Sequence, residues 1–365
     1  PEYTREREFL DIAIRIYKLY MQKIKEHNQY DMDFNMLMDK ASKSIKDNQE
    51  VNITKKQYIF IDEFQDFSKL FFDFIDAIKQ KNPYCNVMCV GDTYQAINRF
   101  AGSDVKYFDN FRNYFQYAYI LTLDTNYRCN SNIVDNARVF MQKHMDSRES
   151  FNAHKSAPGN VNTLNISDVF IERRRAIDVT ADADRIFKTK MSVSDKRAPE
   201  INAVRYLKSV VWIIKQNKDK NSIKLLHRNN DMSFWFVGIE TFLAKVKETC
   251  VELGIMSREE FEKKVSIGTI HSVKGQEADV VVILEADASI MSALHPDATL
   301  FEVFGETPNE VLKDQKRLFY VAITRAKEQL WILYDGADKT AFLNGLPANE
   351  IDPRTVKISE TLNKH

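Results

Sequence analysis

The reading starts from Tyr58-Ile59-Phe60-Ile61-Asp62-Glu63-Phe64-Gln65-Asp66. Four apolar residues, two of them β-branched, run into three acids and a glutamine, and a helical pattern follows from Phe67 to Lys79. A continuous apolar run with polar flanks reads as a buried parallel strand. In open α/β sheets the ligand site lies beyond the carboxyl ends of such strands, which puts Asp62 and Glu63 at its rim. Mg²⁺ favours one or two carboxylates and keeps most of its waters. One carboxylate can therefore position the ion's shell while its neighbour polarises an attacking water. An acidic cap on the following helix would use the same residue types, so this stretch alone leaves both readings open.

Outward from that stretch, Val87 to Val90 reads as a second buried strand ending in Gly91-Asp92-Thr93-Tyr94-Gln95-Ala96-Ile97-Asn98-Arg99-Phe100-Ala101-Gly102. Tyr119 to Leu123 is a third strand candidate, followed by Asp124-Thr125-Asn126-Tyr127-Arg128 and a helix near Asn132 to Met141. Upstream, apolar spacing predicts helices over 5–27 and 33–46. Downstream, Val161 to Leu164 suits a short strand, Ala198 to Lys215 a helix and Ser222 to Leu226 a strand. The charge mixture over 171–197 reads as a solvated face rather than a DNA track. The last third alternates strand (265–270), strand (280–284), an acidic excursion (287–310), helix (311–326) and strand (330–334), with a frayed tail from Asp352-Pro353. That is βαβ grammar and implies an α/β fold with mostly parallel sheets flanked by helices.

Composition narrows the classes. A 365-residue chain with 44% apolar and 28% charged residues can bury a core as a soluble protein of two or three domains. No run reaches the roughly 20 apolar residues of a membrane span, and no signal-peptide pattern is present. Cys85, Cys89, Cys129 and Cys250 are too scattered for a disulfide framework or zinc ribbon, which suits a cytoplasmic protein. Zero net charge neither supports nor excludes nucleic acid, so any basic surface must be local. Among the ten glycines no two are five apart, so the phosphate-cradling GxxxxGK[ST] loop is absent from these residues.

Five blocks, in order, resemble the UvrD/Rep-like superfamily 1A DNA helicases, helicase IV-type members in particular. Asp62-Glu63-Phe64-Gln65-Asp66 resembles their motif II, residues 91–104 motif III, 123–133 motif IV, 269–281 motif V and 317–327 motif VI. Tyr30 to Phe34 resembles the short block before motif II. The resemblance implies RecA-like motor domains, ATP and Mg²⁺ as cofactors, and single-stranded or 3′-tailed duplex DNA as partner. It implies a division into a helical remnant (1–50), the later half of a first motor domain (51–122), a second motor domain (123–345) with its accessory insertion absent or vestigial, and a tail (346–365).

Site roles follow from the same likeness. Asp62 is similar to the Mg²⁺-shell ligand and Glu63 to the general base. Gln95 is similar to the γ-phosphate sensor, for which an amide that both donates and accepts is suited. Arg128 and Arg325 resemble the two γ-phosphate arginines of the second motor domain, where a fork that never loses its charge is needed. Tyr127 would stack on adenine, and Glu277 would lie near the nucleotide's sugar and phosphates. Phe100 would stack on a DNA base, with core packing as the other reading, and Thr269 and His271 would contact DNA phosphate. Asn98 and Ala101 depart from the family's Tyr and Arg, removing an aromatic and a cation. The likeness implies the C-terminal portion of a 3′-to-5′ DNA helicase, inactive as an ATPase without an upstream phosphate loop. A non-catalytic nucleic-acid or protein-binding scaffold, such as an RNA polymerase-associated remodeller module, is the other reading.

Overall fold

The computed structural model describes residues 2–27, 32–47, 53, 55–147, 150–170, 197–233, 238–294, 297–304 and 307–357. Tyr30-Asp31, most of the charged stretch 171–197 and the end of the tail fall outside them. The chain divides into two compact units, 1–121 with 294–314, and 122–293 with 315–365.

The first unit carries α1 (Glu2–His27), α2 (Phe34–Asp47), β1 (Tyr58–Ile61), α3 (Lys69–Lys81), β2 (Asn86–Cys89) and two single-turn helices, α4 (Lys106–Asp109) and α5 (Phe111–Tyr114). β1 and β2 run parallel, Tyr58 opposite Asn86 and Ile61 opposite Cys89. Because side chains alternate across a strand, Ile59, Ile61, Val87 and Cys89 point to one face and pack on Phe64, Phe67, Ile75 and Tyr107. Tyr58, Phe60 and Met88 share the opposite face and are exposed, which corrects the expectation that β1 and β2 are buried strands: each is covered on one face only. Ser68 caps α3 by accepting from the Phe71 N–H, which fixes where the acidic turn ends and the helix begins. α1 meets the 298–304 turn through an edge-on contact of Phe9 with Phe301, centroids 5.6 Å apart.

The second unit is built on an all-parallel sheet. Its described elements are β3 (Thr125–Asn130), α6 (Ser131–His144), β4 (Asn152–Lys155), β5 (Asn160–Asn165), α7 (Arg197–Gln216), β6 (Ile223–His227), α8 (Ile239–Glu252), α9 (Arg258–Lys264), β7 (Val265–Thr269), β8 (Ala278–Ile283), α10 (Ala288–Met291), α11 (Pro308–Ile323, of which 308–314 count with the first unit), β9 (Ala326–Tyr334) and β10 (Asn349–Glu350). Among the described residues, six strands pair in the order β10-β5-β9-β8-β6-β7. Every residue of β8 is buried, as expected of a strand covered on both faces. Val210, Ile213 and Ile214 of α7 and Phe242, Val246 and Cys250 of α8 join Val280 and Val282 in the core. Each buried aliphatic or aromatic side chain of that kind contributes about 1.5–3 kcal/mol. β3 and β4 form a separate parallel pair. No helix among the described residues is long and apolar enough to cross a membrane.

Three further expectations are corrected. Tyr119 to Leu123 forms no ladder, and Tyr119, Ile120, Leu121 and Leu123 are exposed; the strand starts at Thr125. An apolar run supplies side chains suited to a sheet, but the ladder also needs a partner edge, and no described strand pairs with this one. α11 ends at Ile323 rather than Ala326, because β9 already starts at Ala326 to pair with β8. The segment read as a tail is ordered through residue 357: β10 pairs with β5, Asp352 caps a turn by accepting from the Arg354 N–H, and Val356 is buried in the core.

Candidate functional site

In the first unit the acids leave the sheet where the sequence placed them. Val90 donates its N–H to the Ile61 carbonyl and Phe64 donates to the Val90 carbonyl, both at 2.9 Å, so the carboxyl ends of β1 and β2 are stitched together. Glu63 sits in the left-handed region (φ 51°), which costs a non-glycine residue energy and gives the turn its sharp exit. Asp62 accepts the Glu63 N–H at 2.9 Å through Oδ1, and both carboxylates are exposed. Gln65, 2% exposed, links the two turns: its Nε2 donates to Glu63 and its Oε1 accepts the Asp92 N–H at 2.9 Å. Asp92 in turn accepts from the Tyr94 N–H at 2.9 Å and from Gln95 Nε2 at 2.8 Å. Asp62, Glu63 and Gln95 thus belong to one hydrogen-bonded chain through Gln65 and Asp92, two residues the sequence analysis did not single out. The glutamine inside the acidic motif was the available signal. Phe100 is 73% exposed on a single 3₁₀ turn, so it is not a core residue. Arg99 beside it pairs with Glu310, and Asn98 donates to Asp66 at 2.9 Å.

In the second unit, three sequence blocks converge. Asn126 Oδ1 accepts the N–H groups of Arg128 and Cys129, both at 2.9 Å, holding the backbone in a tight turn. Arg128 Nε donates to Glu277 Oε2 at 2.7 Å, and its Nη1 reaches the Thr324 carbonyl at 3.5 Å. Lys327 Nζ lies 2.8 Å from the other Glu277 oxygen. That hydrogen bond from Lys327 is the largest influence on the Glu277 carboxyl; burial opposes it, and the Arg128 hydrogen bond with the charges of both cations keeps the group below the usual glutamate range. Arg325 stands at the turn between α11 and β9 and is 1% exposed. Its guanidinium donates to the carbonyls of Val321 (3.0 Å) and Gln276 (3.3 Å) and to Thr324 Oγ1 (3.2 Å). The Tyr127 ring, 65% exposed, lies 4.6 Å from the His154 ring, and Lys155 Nζ donates to the Arg128 carbonyl at 2.8 Å.

Thr269 and His271 fall at the carboxyl end of β7, beside His227 at the end of β6. Thr269 Oγ1 accepts the Ser272 N–H at 3.2 Å, closing a turn that contains Ile270 and His271. Burial, then the charge of Arg228, holds the His271 imidazole below its usual pKa. Arg228 directly follows the end of β6 and burial lowers its pKa; the sequence analysis did not name it. At the same sheet edge His227 Nε2 meets the buried Glu285 carboxylate at 2.7 Å, and Asp287 accepts the Asp335 N–H at 2.7 Å.

Chemically, the first set can hold a divalent cation and turn a water, since Mg²⁺ asks for one or two carboxylates rather than a protein cage. The second set offers cations and an aromatic face, the groups that a phosphate and a nucleobase require. Comparison with known proteins gives a consistent picture. Residues 2–116 match the UvrD/REP helicase N-terminal domain and residues 185–336 the UvrD-like helicase C-terminal domain. DNA helicase IV of Escherichia coli (strain K12) is 25% identical over 350 residues, which cover 94% of this chain and 43% of that protein. A probable DNA helicase of Mycoplasma pneumoniae is 26% identical over 329 residues, 88% of this chain and 51% of its own. The putative ATP-dependent DNA helicase YjcD of Bacillus subtilis (strain 168) is 32% identical over 136 residues, 36% of this chain and 17% of its own. The chain therefore spans about half or less of the length of these curated relatives.

Proposed function

The chain belongs to the UvrD/Rep-like helicase family, and from that premise we propose that it serves an ATP-dependent DNA helicase that moves 3′ to 5′ along single-stranded DNA. The observation that carries the reading is the convergence of Arg128, Glu277, Thr324, Arg325 and Lys327, drawn from three separate motifs, in one hydrogen-bonded cluster. A fold kept only as a scaffold has no need of that set.

On this reading ATP and Mg²⁺ are the cofactors, and the metal when bound supplies charge neutralisation at the phosphates. Asp62 would hold its shell, and Glu63, fixed by Gln65, would take a proton from the attacking water. Gln95 would exchange Asp92 for a phosphate oxygen, a swap an amide makes without changing charge. Arg128 and Arg325 would meet the charge that builds on the transferred group, and Tyr127 would carry the adenine. Phe100 would stack on single-stranded DNA, while Thr269 and His271, with Arg228 nearby, would face its phosphates. We assign 51–122 to a first RecA-like domain, 1–50 to a helical remnant, and 123–293 with 315–357 to a second RecA-like domain, whose sheet and core take in β10 and Val356. One observation favours the scaffold reading instead: Arg325 donates to backbone carbonyls and is shielded from solvent.

The test is turnover and binding. This 365-residue chain, which contains no GxxxxGK[ST], should bind 3′-tailed DNA without DNA-stimulated ATP hydrolysis. Hydrolysis by this chain that disappears in Glu63→Gln would show that phosphates are held without the loop. A protein joining this chain to a phosphate loop should unwind 3′-tailed but not 5′-tailed duplexes, and failure of both substrates would leave the scaffold reading standing.

A further inference from the structure

We propose that His154 is a positioning residue for a nucleobase, forming with Tyr127 a two-ring shelf on which the adenine of a bound nucleotide stacks. The inference deepens the nucleotide reading of the second unit and rests on it. It starts from the register of β3 against β4. Asn126 pairs with Ala153 and Asn130 pairs with Lys155, so Tyr127, Arg128 and Cys129 together oppose the single residue His154. A bulge of this kind bends its strand and re-aims side chains, and bulges favour functional sites.

Three side chains hold the bulge open. Asn126 takes the N–H groups of Arg128 and Cys129, and Lys155 donates to the Arg128 carbonyl at 2.8 Å. His154 supplies the third, its ring centroid 4.6 Å from that of Tyr127 with the planes tilted by 36°. Neighbouring residues of a strand point to opposite faces, so β4 divides the work: Lys155 fixes the backbone and His154 fixes the ring. Both rings are exposed, which leaves aromatic surface for a further planar group. An exposed tyrosine by itself loses side-chain freedom when a base stacks on it; a ring already lodged against His154 has lost most of that freedom beforehand.

The test titrates the chain with ATP and, separately, with inorganic tripolyphosphate, which has no base. Saturation-transfer NMR reads the adenine H2 and H8 protons against the ribose. The unaltered chain should saturate the adenine protons most. His154→Ala should weaken ATP about two- to tenfold, leave tripolyphosphate unchanged, and be rescued by His154→Phe. Equal weakening of both ligands, or failure of the phenylalanine to rescue, would reduce His154 to a structural role and overturn the proposal. A loss of adenine saturation in Tyr127→Ala with none in His154→Ala would overturn the part given to His154 alone. If neither ligand binds the unaltered chain, the titration is repeated on the protein that joins this chain to a phosphate loop, and absence of adenine saturation there overturns the nucleotide reading and the shelf with it.

Discussion

Glu277 accepts a hydrogen bond from Arg128 at 2.7 Å, joining residues 149 apart in sequence. Lys327 holds the other carboxylate oxygen at 2.8 Å, so one acid neutralises two cations that would otherwise repel each other at close range. Such an arrangement keeps an arginine ordered while leaving it exchangeable, because an anion with more oxygens can displace a partly exposed carboxylate.

Glu277→Gln should therefore cost little stability, about 0–1 kcal/mol at pH 7, since all three side chains are about a third exposed. The Glu277 carboxyl lies below its ordinary 4.5 in the folded chain. Its contribution is thus present above the unfolded value and lost as pH falls through the lowered folded one. Urea denaturation should show the variant and the unaltered chain converging in acid; a gap that widens on acidification would contradict the pairing.

Asp287 should act in the opposite sense. Burial first, and then the nearby Glu285, Asp338 and Asp335 carboxylates, push its pKa to about 7, against a lowering by the Asp335 N–H. The folded chain keeps a proton that the unfolded chain releases near 3.8, so stability falls as pH rises from about 4 to about 7 and then levels. Asp287→Asn keeps an oxygen for the Asp335 N–H and should gain on the unaltered chain between pH 5 and pH 8. An unchanged pH slope in chemical denaturation would refute it.

Asn126→Ala removes the acceptor of two backbone N–H groups and should destabilise the second unit by about 1–3 kcal/mol. Asn126→Asp keeps the oxygen and should recover most of the loss. Equal denaturation midpoints for alanine and the unaltered residue would mean the turn is held elsewhere.

Gly91→Ala places a methyl group 2.5 Å from Gln65 Oε1 and 3.0 Å from the Phe64 nitrogen. Gln65 cannot step aside without leaving the Asp92 N–H, so the thermal midpoint of the first unit should fall and the near-ultraviolet signal of its phenylalanine cluster should change. No change in either would show that Gln65 is not fixed.

Phe100→Ala should weaken single-stranded DNA by about 1–3 kcal/mol irrespective of sequence, with little effect on stability because the ring is exposed. Fluorescence anisotropy with poly-dT and mixed oligonucleotides distinguishes this from base-specific readout, in which only one of them would lose affinity.

Hydrophobic pattern alone determined that this chain has parallel strands ending in polar turns, because a buried strand must be apolar along its length and its rim is where charge costs least. Val280 to Leu284 and the long helices were legible for that reason; Tyr58 to Ile61 was legible as a parallel strand with Asp62 and Glu63 at its end, but not in its burial, since Tyr58 and Phe60 are exposed. Only the tertiary structure decided partners. Glu277 could choose Arg128 and Lys327, Gln65 could bridge Glu63 to Asp92, and His154 could come to oppose three residues at once only after chain segments met. Tyr119 to Leu123 shows the same limit from the other side. A side-chain pattern is a local property, whereas a ladder, an ion pair and a ring contact are each shared between distant segments, and their energy exists only when both are in place.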